Sequence, residues 1–297
     1  MKKSINTLLV IIVLTLSVKA QNYNHEIFKN PPDTIPKIFG KGIITIEDRA
    51  EWGLAISPSY NEIFFTATDG LMFIKKKKDR TWSSPKVANL RGDNISEMEA
   101  FYTSDGEQLY FTSGDTTDTN RIWRSVKEKS GWSKAELLNS PVNKTPVFWA
   151  TFSNTNTMYY TNLAVGKIYR SELVDGKYSK TSDLGIEGFQ LHPTIAADES
   201  YILFNSRRPD SFGEHDIYIV FKTNKGTWTA PINLGKHVNT NVNETCPSIS
   251  PDGKFIFFSR YNDLNGKPDF YWVSSSVIDK LRREIIEKSH YEKGIVD

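Results

Sequence analysis

The sequence predicts an all-β fold: a β-propeller of five four-stranded blades, closed by an N-terminal strand and followed by a short C-terminal helix. Three observations predict it. One turn-and-strand stretch recurs five times at spacings of 44 to 54 residues, the period of a four-stranded blade. Each copy is followed by a second strand-like motif, and four of the five by a third. A short strand left over before the first copy matches the piece missing after the last.

The fullest copy is ISPDGKFIFFSR, Ile249 to Arg260. Its relatives are ISPSYNEIFFTA from Ile56, YTSDGEQLYFTS from Tyr102, FSNTNTMYYTN from Phe152 and IAADESYILFNSR from Ile195. The second aromatic of each strand anchors the alignment: Phe65, Phe111, Tyr160, Phe204 and Phe258, spaced by 46, 49, 44 and 54 residues. Turn chemistry explains the shared residues. Pro251 fixes φ at the first corner, Asp252 accepts a backbone N–H, and Gly253 takes the left-handed position. Asp105 and Gly106 supply two of these three, and Asn tolerates the same geometry in the third copy. The aspartates of these turns are therefore structural rather than catalytic.

The motifs LMFIKKKK, RIWRSVKE, KIYRSELV, DIYIVFKT and DFYWVSSS alternate in the strand period and read as third strands. Trp82, Trp132, Tyr178 and Trp228 recur after them and are expected to open the fourth strands, packing blade on blade. The last copy lacks this piece, and Gly42–Glu47 (GIITIE), β-branched and short, is expected to supply it and seal the sheet edge. Residues 42–276 then hold five blades of 47 residues each. Beyond them, in residues 277–297, Ile278, Leu281 and Ile285 share one helical face.

Residues 1–20 read as a signal peptide, with a basic MKK start, a short apolar core and small residues Val18 and Ala20 before Gln21. Residues 21–41 read as an extended segment. The mature chain is expected to be periplasmic or secreted, without a membrane span after cleavage. Without residues 1–20 the chain has 34 Lys+Arg against 35 Asp+Glu, a net of −1. That balance argues against a nucleic-acid partner, which needs a clustered positive face. Cys246 is the only cysteine and cannot form an internal disulfide. It reads as a small core residue on a strand.

The combination Ser-Pro-Asp-Gly-x-x-hydrophobic-x-Phe, then Asp-Ile-Tyr, then Gly-x-Trp-x-x-Pro-x-Asn-Leu-Gly resembles the TolB-type, WD40-like propeller repeat. The resemblance spans about residues 42–275 and is sharpest in ETCPSISPDGKFIFFSR and HDIYIVFKTNKGTWTAPINLG. It implies an exported propeller whose relatives include translocation-linked binding proteins and propellers fused to OmpA-like or peptidase domains. No Gly-x-Ser-x-Gly elbow and no His-Glu-x-x-His helix accompanies the repeats.

Two sets of residues could build a site. Aligning the copies places Glu51, Glu97, Val147, Gln190 and Glu244 at one equivalent position, and Gly53, Glu99, Trp149, His192 and Cys246 two residues on. Acids with His around a channel suit a sugar or a divalent cation such as Ca2+; the alternative is that each carboxylate caps its own blade's backbone. No other cofactor is expected. The unequal loops between second and third strands contribute Asp115, Asp118, Arg121, Arg207, Arg208, His215, Arg260 and Tyr261. Their arginines suit a carboxylate-bearing ligand, and otherwise form a solvated rim. The expected function is a monomeric, non-enzymatic binding or scaffold module for a protein or glycan partner. The alternative is a glycosidase or lyase at the channel mouth, using two of Glu97, Glu99 and Glu244.

Overall fold

A computed structural model describes residues 26–292, apart from Asn94, Thr116, Asp118 and residues 262–265; of residues 285–292 it describes the backbone alone. The expected signal peptide, Asp118 and the tail from residue 293 lie outside the described residues. Five antiparallel blades form the ring. The first begins with Glu51–Ile56, Glu62–Ala67 and Gly70–Lys75, and ends on the two-residue strand Lys86–Val87. Blades two to four open with Glu97–Tyr102, Val147–Phe152 and Leu191–Ile195. The fifth opens with Glu244–Ile249, continues through Phe255–Tyr261 and Pro268–Ser274, and lacks a fourth strand of its own.

Stacking of the blades explains the sequence of the second strands. A sheet buried on both faces calls for near-continuous apolar runs. Ile63, Phe64 and Phe65 are at most 1% exposed, and Leu203, Phe204, Phe257 and Phe258 are equally enclosed. Each such ring or branched chain contributes roughly 1.5–3 kcal/mol on burial. The recurrent aromatics do pack blade on blade: Trp132 lies 6.3 Å from Phe64 of the preceding blade, and Tyr178 lies 6.4 Å from Tyr110. They do not open the fourth strands. They close the hairpin after the third strand, through the pairs Lys76↔Trp82, Lys127↔Trp132, Leu173↔Tyr178 and Lys222↔Trp228. The fourth strands begin several residues later, at Lys86, Glu136, Ser182 and Ile232.

The ring is closed from the N-terminus, but by Lys37–Ile38 rather than Gly42–Glu47. Lys37 pairs with Trp272 and Ile38 with Tyr271, and Phe39 donates its N–H to the Phe270 carbonyl at 2.8 Å. Gly40 and Gly42 both have positive φ (62° and 82°), so the glycines turn the segment whose β-branched residues look strand-forming. The turn folds Ile44 inward, fully buried. Phe28 and Phe39 lock this strap into a cluster with Tyr60, Phe257 and Trp272. The helix Ser276–Glu292 packs Ile278 and Leu281 against blades four and five.

One irregularity is repeated in every blade. The register of first strand on second strand shifts at the second or third residue in all five blades. That residue is Gly53, Glu99, Trp149, His192 or Cys246, each with φ between 54° and 63°. Non-glycine residues seldom accept this conformation. A clasp from the neighbouring blade holds it. The bulge N–H of Glu99, Trp149, His192 and Cys246 donates to Thr66, Thr112, Thr161 and Asn205 side chains, at 2.7, 3.1, 3.2 and 3.4 Å. Each acceptor sits on the second strand of the preceding blade. Bulges of this kind re-aim side chains, and here they line one end of the central channel.

Candidate functional site

The first-strand acids are sunk into their own blades. Glu51 is fully buried and accepts from Arg49 Nε at 2.7 Å. Glu97 accepts the Arg91 backbone N–H at 2.6 Å. Gln190 holds the Ile186 and Glu187 carbonyls at 2.8 and 3.0 Å and also reaches Gly188. Glu244 takes the Thr240 hydroxyl at 2.6 Å and Arg260 Nε at 2.7 Å. All four therefore organise the loop entering their own strand. Burial raises the Glu97 and Glu244 carboxyls above the usual range, and raises Glu51 to about 7 against the opposing Arg49 guanidinium.

Two residues on, the bulges turn the next set of side chains toward the channel. Glu99 Oε1 lies 3.6 Å from His192 Nε2, and its Oε2 accepts from Thr112 at 3.3 Å. His192 Nδ1 is 2.6 Å from Asn205 Oδ1, and Asn205 Nδ2 is 3.4 Å from His215 Nδ1. The Asn205 amide thus bridges the two histidines. Phe148 and Trp149 stand edge-on to the His192 ring at 4.8 and 4.7 Å. Burial disfavours charge on His192, but the Cys246 thiol and the Glu99 carboxylate outweigh it and raise the ring to about 10. His215 goes the other way, lowered by burial. One imidazolium and one neutral imidazole therefore sit on the two sides of a single amide.

Over this group opens a cavity of about 470 Å³. Its walls carry Glu99, His192, His215, Cys246 and Tyr261, all singled out in the sequence, with Trp52, Asn205, Asn243, Thr245 and Lys267. A cavity of the same volume opens at the other end of the channel, on the side of the Ser-Pro-Asp-Gly turns. Apolar chains such as Ile56, Phe101, Ile195 and Ile249 line much of it. Asp252 on its edge bonds Ser250 and Tyr60, so this end offers little chemistry.

The loop arginines divide. Arg207 is exposed and, among the described residues, its one ion pair is with Glu214, at 3.3 Å. Arg208 lies over the Tyr218 ring at 5.3 Å, and burial lowers its pKa. Arg260 belongs to the second strand of blade five rather than to an exposed loop. It lies 4.5 Å over the Tyr271 ring and also donates to the Val238 carbonyl at 2.7 Å. Among the described residues no cluster of three or more His, Cys, Asp and Glu is placed to hold a metal ion.

Asn205 and the threonine clasps were not singled out from the sequence, although a signal exists. Thr66, Thr112, Thr161, Asn205 and Ser259 each follow the aromatic anchor directly. The first four bond the next blade's bulge N–H, the kind of repeated hydrogen bond that a polar residue at a fixed place in an apolar strand marks.

No family model matches the chain, and no curated protein matches it. Its fold is shared with solved structures. A structure described as TolB from Agrobacterium tumefaciens is 18% identical, with 72% of each chain covered and a TM-score of 0.50. A thermostable family-43 glycoside hydrolase is 13% identical, with 77% of this chain and 90% of that one covered and a TM-score of 0.54. An α-L-arabinofuranosidase from Lactobacillus brevis is 12% identical, with 75% and 90% covered and a TM-score of 0.51. At these identities the likeness is one of fold: the chain is a five-bladed propeller.

Proposed function

We propose that the protein is an exported, TolB-like propeller that binds a sugar residue of a glycan at the channel mouth, without cleaving it. One observation carries the choice against hydrolysis: among the described residues lining the cavity, Glu99 is the single carboxylate. Glycosidase chemistry ordinarily needs two, about 5–10 Å apart. Glu51, Glu97 and Glu244 are committed to arginine, backbone and hydroxyl donors inside their own blades. The wall suits a saccharide. Trp52 and Tyr261 offer aromatic surface, and Asn205, Asn243, Thr245 and His215 offer neutral donors and acceptors. A few polar groups in an otherwise apolar pocket are what orient a small ligand.

Screening residues 21–297 against a glycan panel tests this, with product analysis of every ligand bound. Binding of at least one glycan without release of shorter products is expected. Glu99→Gln should weaken that binding by about tenfold, the scale of one charged hydrogen bond. Turnover of a bound glycan, lost in Glu99→Gln, would establish the enzymatic alternative instead.

A further inference from the structure

A second feature lies at the opposite end of the blades, away from the channel. The hairpins that follow the third strands of blades one and two project side by side. Between them is a cleft of about 310 Å³, walled by Lys75 and Lys76 on one side and by Lys127, Glu128 and Lys129 on the other. Trp132 and Glu62 line it between these walls. The first hairpin continues through Lys77, Lys78 and Arg80, all exposed. A chain whose expected mature charge is −1 thus concentrates seven cationic side chains on two adjacent hairpins.

Three acids stand among them, Glu62, Asp79 and Glu128, and offset only part of this charge. Glu62 is buried and already saturated: its Oε2 accepts from Tyr102 and Trp132, both at 3.0 Å, and its Oε1 meets Lys75 at 3.0 Å. Asp79 is turned to its own loop, accepting from the Thr81 backbone and hydroxyl at 2.9 and 2.7 Å. Lys127 and Lys129 are exposed and form no salt bridge among the described residues. Holding like charges on neighbouring turns costs stability unless an anion sits between them. The tryptophan inside the cleft supplies an edge of aromatic surface, which a phosphate ion does not use and a pyranose ring does.

We propose that this cleft binds an acidic polysaccharide, with one uronate or sulfated sugar between the two hairpins. The lysines neutralise the acidic group, and Trp132 meets the ring. Lysine suits this role as a mobile point charge that follows a flexible polymer. The assignment does not depend on the channel mouth, since no residue is shared between the two cavities.

The test is calorimetric titration of residues 21–297 with a polyuronate and with a sulfated oligosaccharide, beside inorganic phosphate and anionic phosphatidylglycerol vesicles. At least one acidic saccharide should bind, more weakly as salt rises. Lys127→Glu with Lys129→Glu should weaken it about tenfold or more, with an unchanged melting temperature because both side chains are exposed. Glu99→Gln at the channel mouth should leave it untouched. Equal affinity in the lysine variant, binding of vesicles but of neither saccharide, or binding of phosphate as tight as that of the saccharides would each overturn the proposal.

Discussion

Arg260→Ala is expected to destabilise the protein by roughly 3–5 kcal/mol, the cost of stranding a buried charge. Position 260 precedes a loop, and the sequence suggested an exposed side chain. The structure gives it Glu244, the Val238 carbonyl and the Phe258 and Tyr271 rings as partners. Glu244 is fully buried, so truncation leaves its carboxylate without a counter-charge. In a domain of this size that loss lowers the melting temperature by roughly ten degrees. Adding Glu244→Gln should restore part of it, because the amide needs no cation; Gln190 fills the equivalent place in blade four. Thermal denaturation of the two single variants and the double variant measures the coupling. Additive losses would show that the pair is not a unit.

Stability is expected to peak at mildly acidic pH and to fall as the solution becomes alkaline. Glu51, Glu97 and Glu244 all have carboxyls raised by burial, Glu51 to about 7. A carboxyl whose folded pKa exceeds its unfolded value favours the fold below the unfolded value. That contribution is lost as pH climbs through the folded one. For Glu51 the window runs from 4.5 to about 7, and the loss is about 3 kcal/mol. His192, raised to about 10, has the same sign and extends the loss above its unfolded value of 6.5. The acid limit is set by carboxylates of opposite shift. Asp105, held down by Thr103 and Glu107, and Asp198, held down by Ser200, lose their contribution as pH drops below the ordinary aspartate range. Denaturant midpoints from pH 4 to 9 should therefore decline above about 5. Glu51→Gln should flatten the segment between 4.5 and 7. Parallel profiles for the two proteins would contradict the assignment.

The ring was legible because each blade repeats one physical problem. A middle strand covered on both faces must be apolar, and its turn must bend at fixed residues. Those constraints recur at Phe65, Phe111, Tyr160, Phe204 and Phe258. Closure was harder to read. Lys37–Ile38 is two residues long, too short to show alternation, while Gly42–Glu47 has strand-like composition that Gly40 and Gly42 override. The site was half legible. Alignment found ring positions of which Glu99, His192 and Cys246 line the cavity, yet periodicity cannot say which way a bulged residue faces. The bulge turns Glu99 and His192 to the cavity, whereas Glu51, Glu97 and Glu244, two residues earlier, serve their own loops. Asn205 escaped notice because its bridge between His192 and His215, and its clasp on Cys246, join residues from different parts of the repeat.

Whether a ligand sits at the channel mouth is tested most directly by filling it. Thr245 is half-buried on the cavity wall, and Thr245→Trp places an indole in the space a sugar ring would take. Asp252→Ala alters the opposite end, where a lost turn hydrogen bond costs about 1 kcal/mol. Titration of a glycan identified by screening into the wild type and both variants gives the answer. The account predicts no measurable binding to a folded Thr245→Trp and full affinity in Asp252→Ala. Full affinity in Thr245→Trp, with loss in a folded Asp252→Ala, would move the seat to the other end of the channel and contradict it.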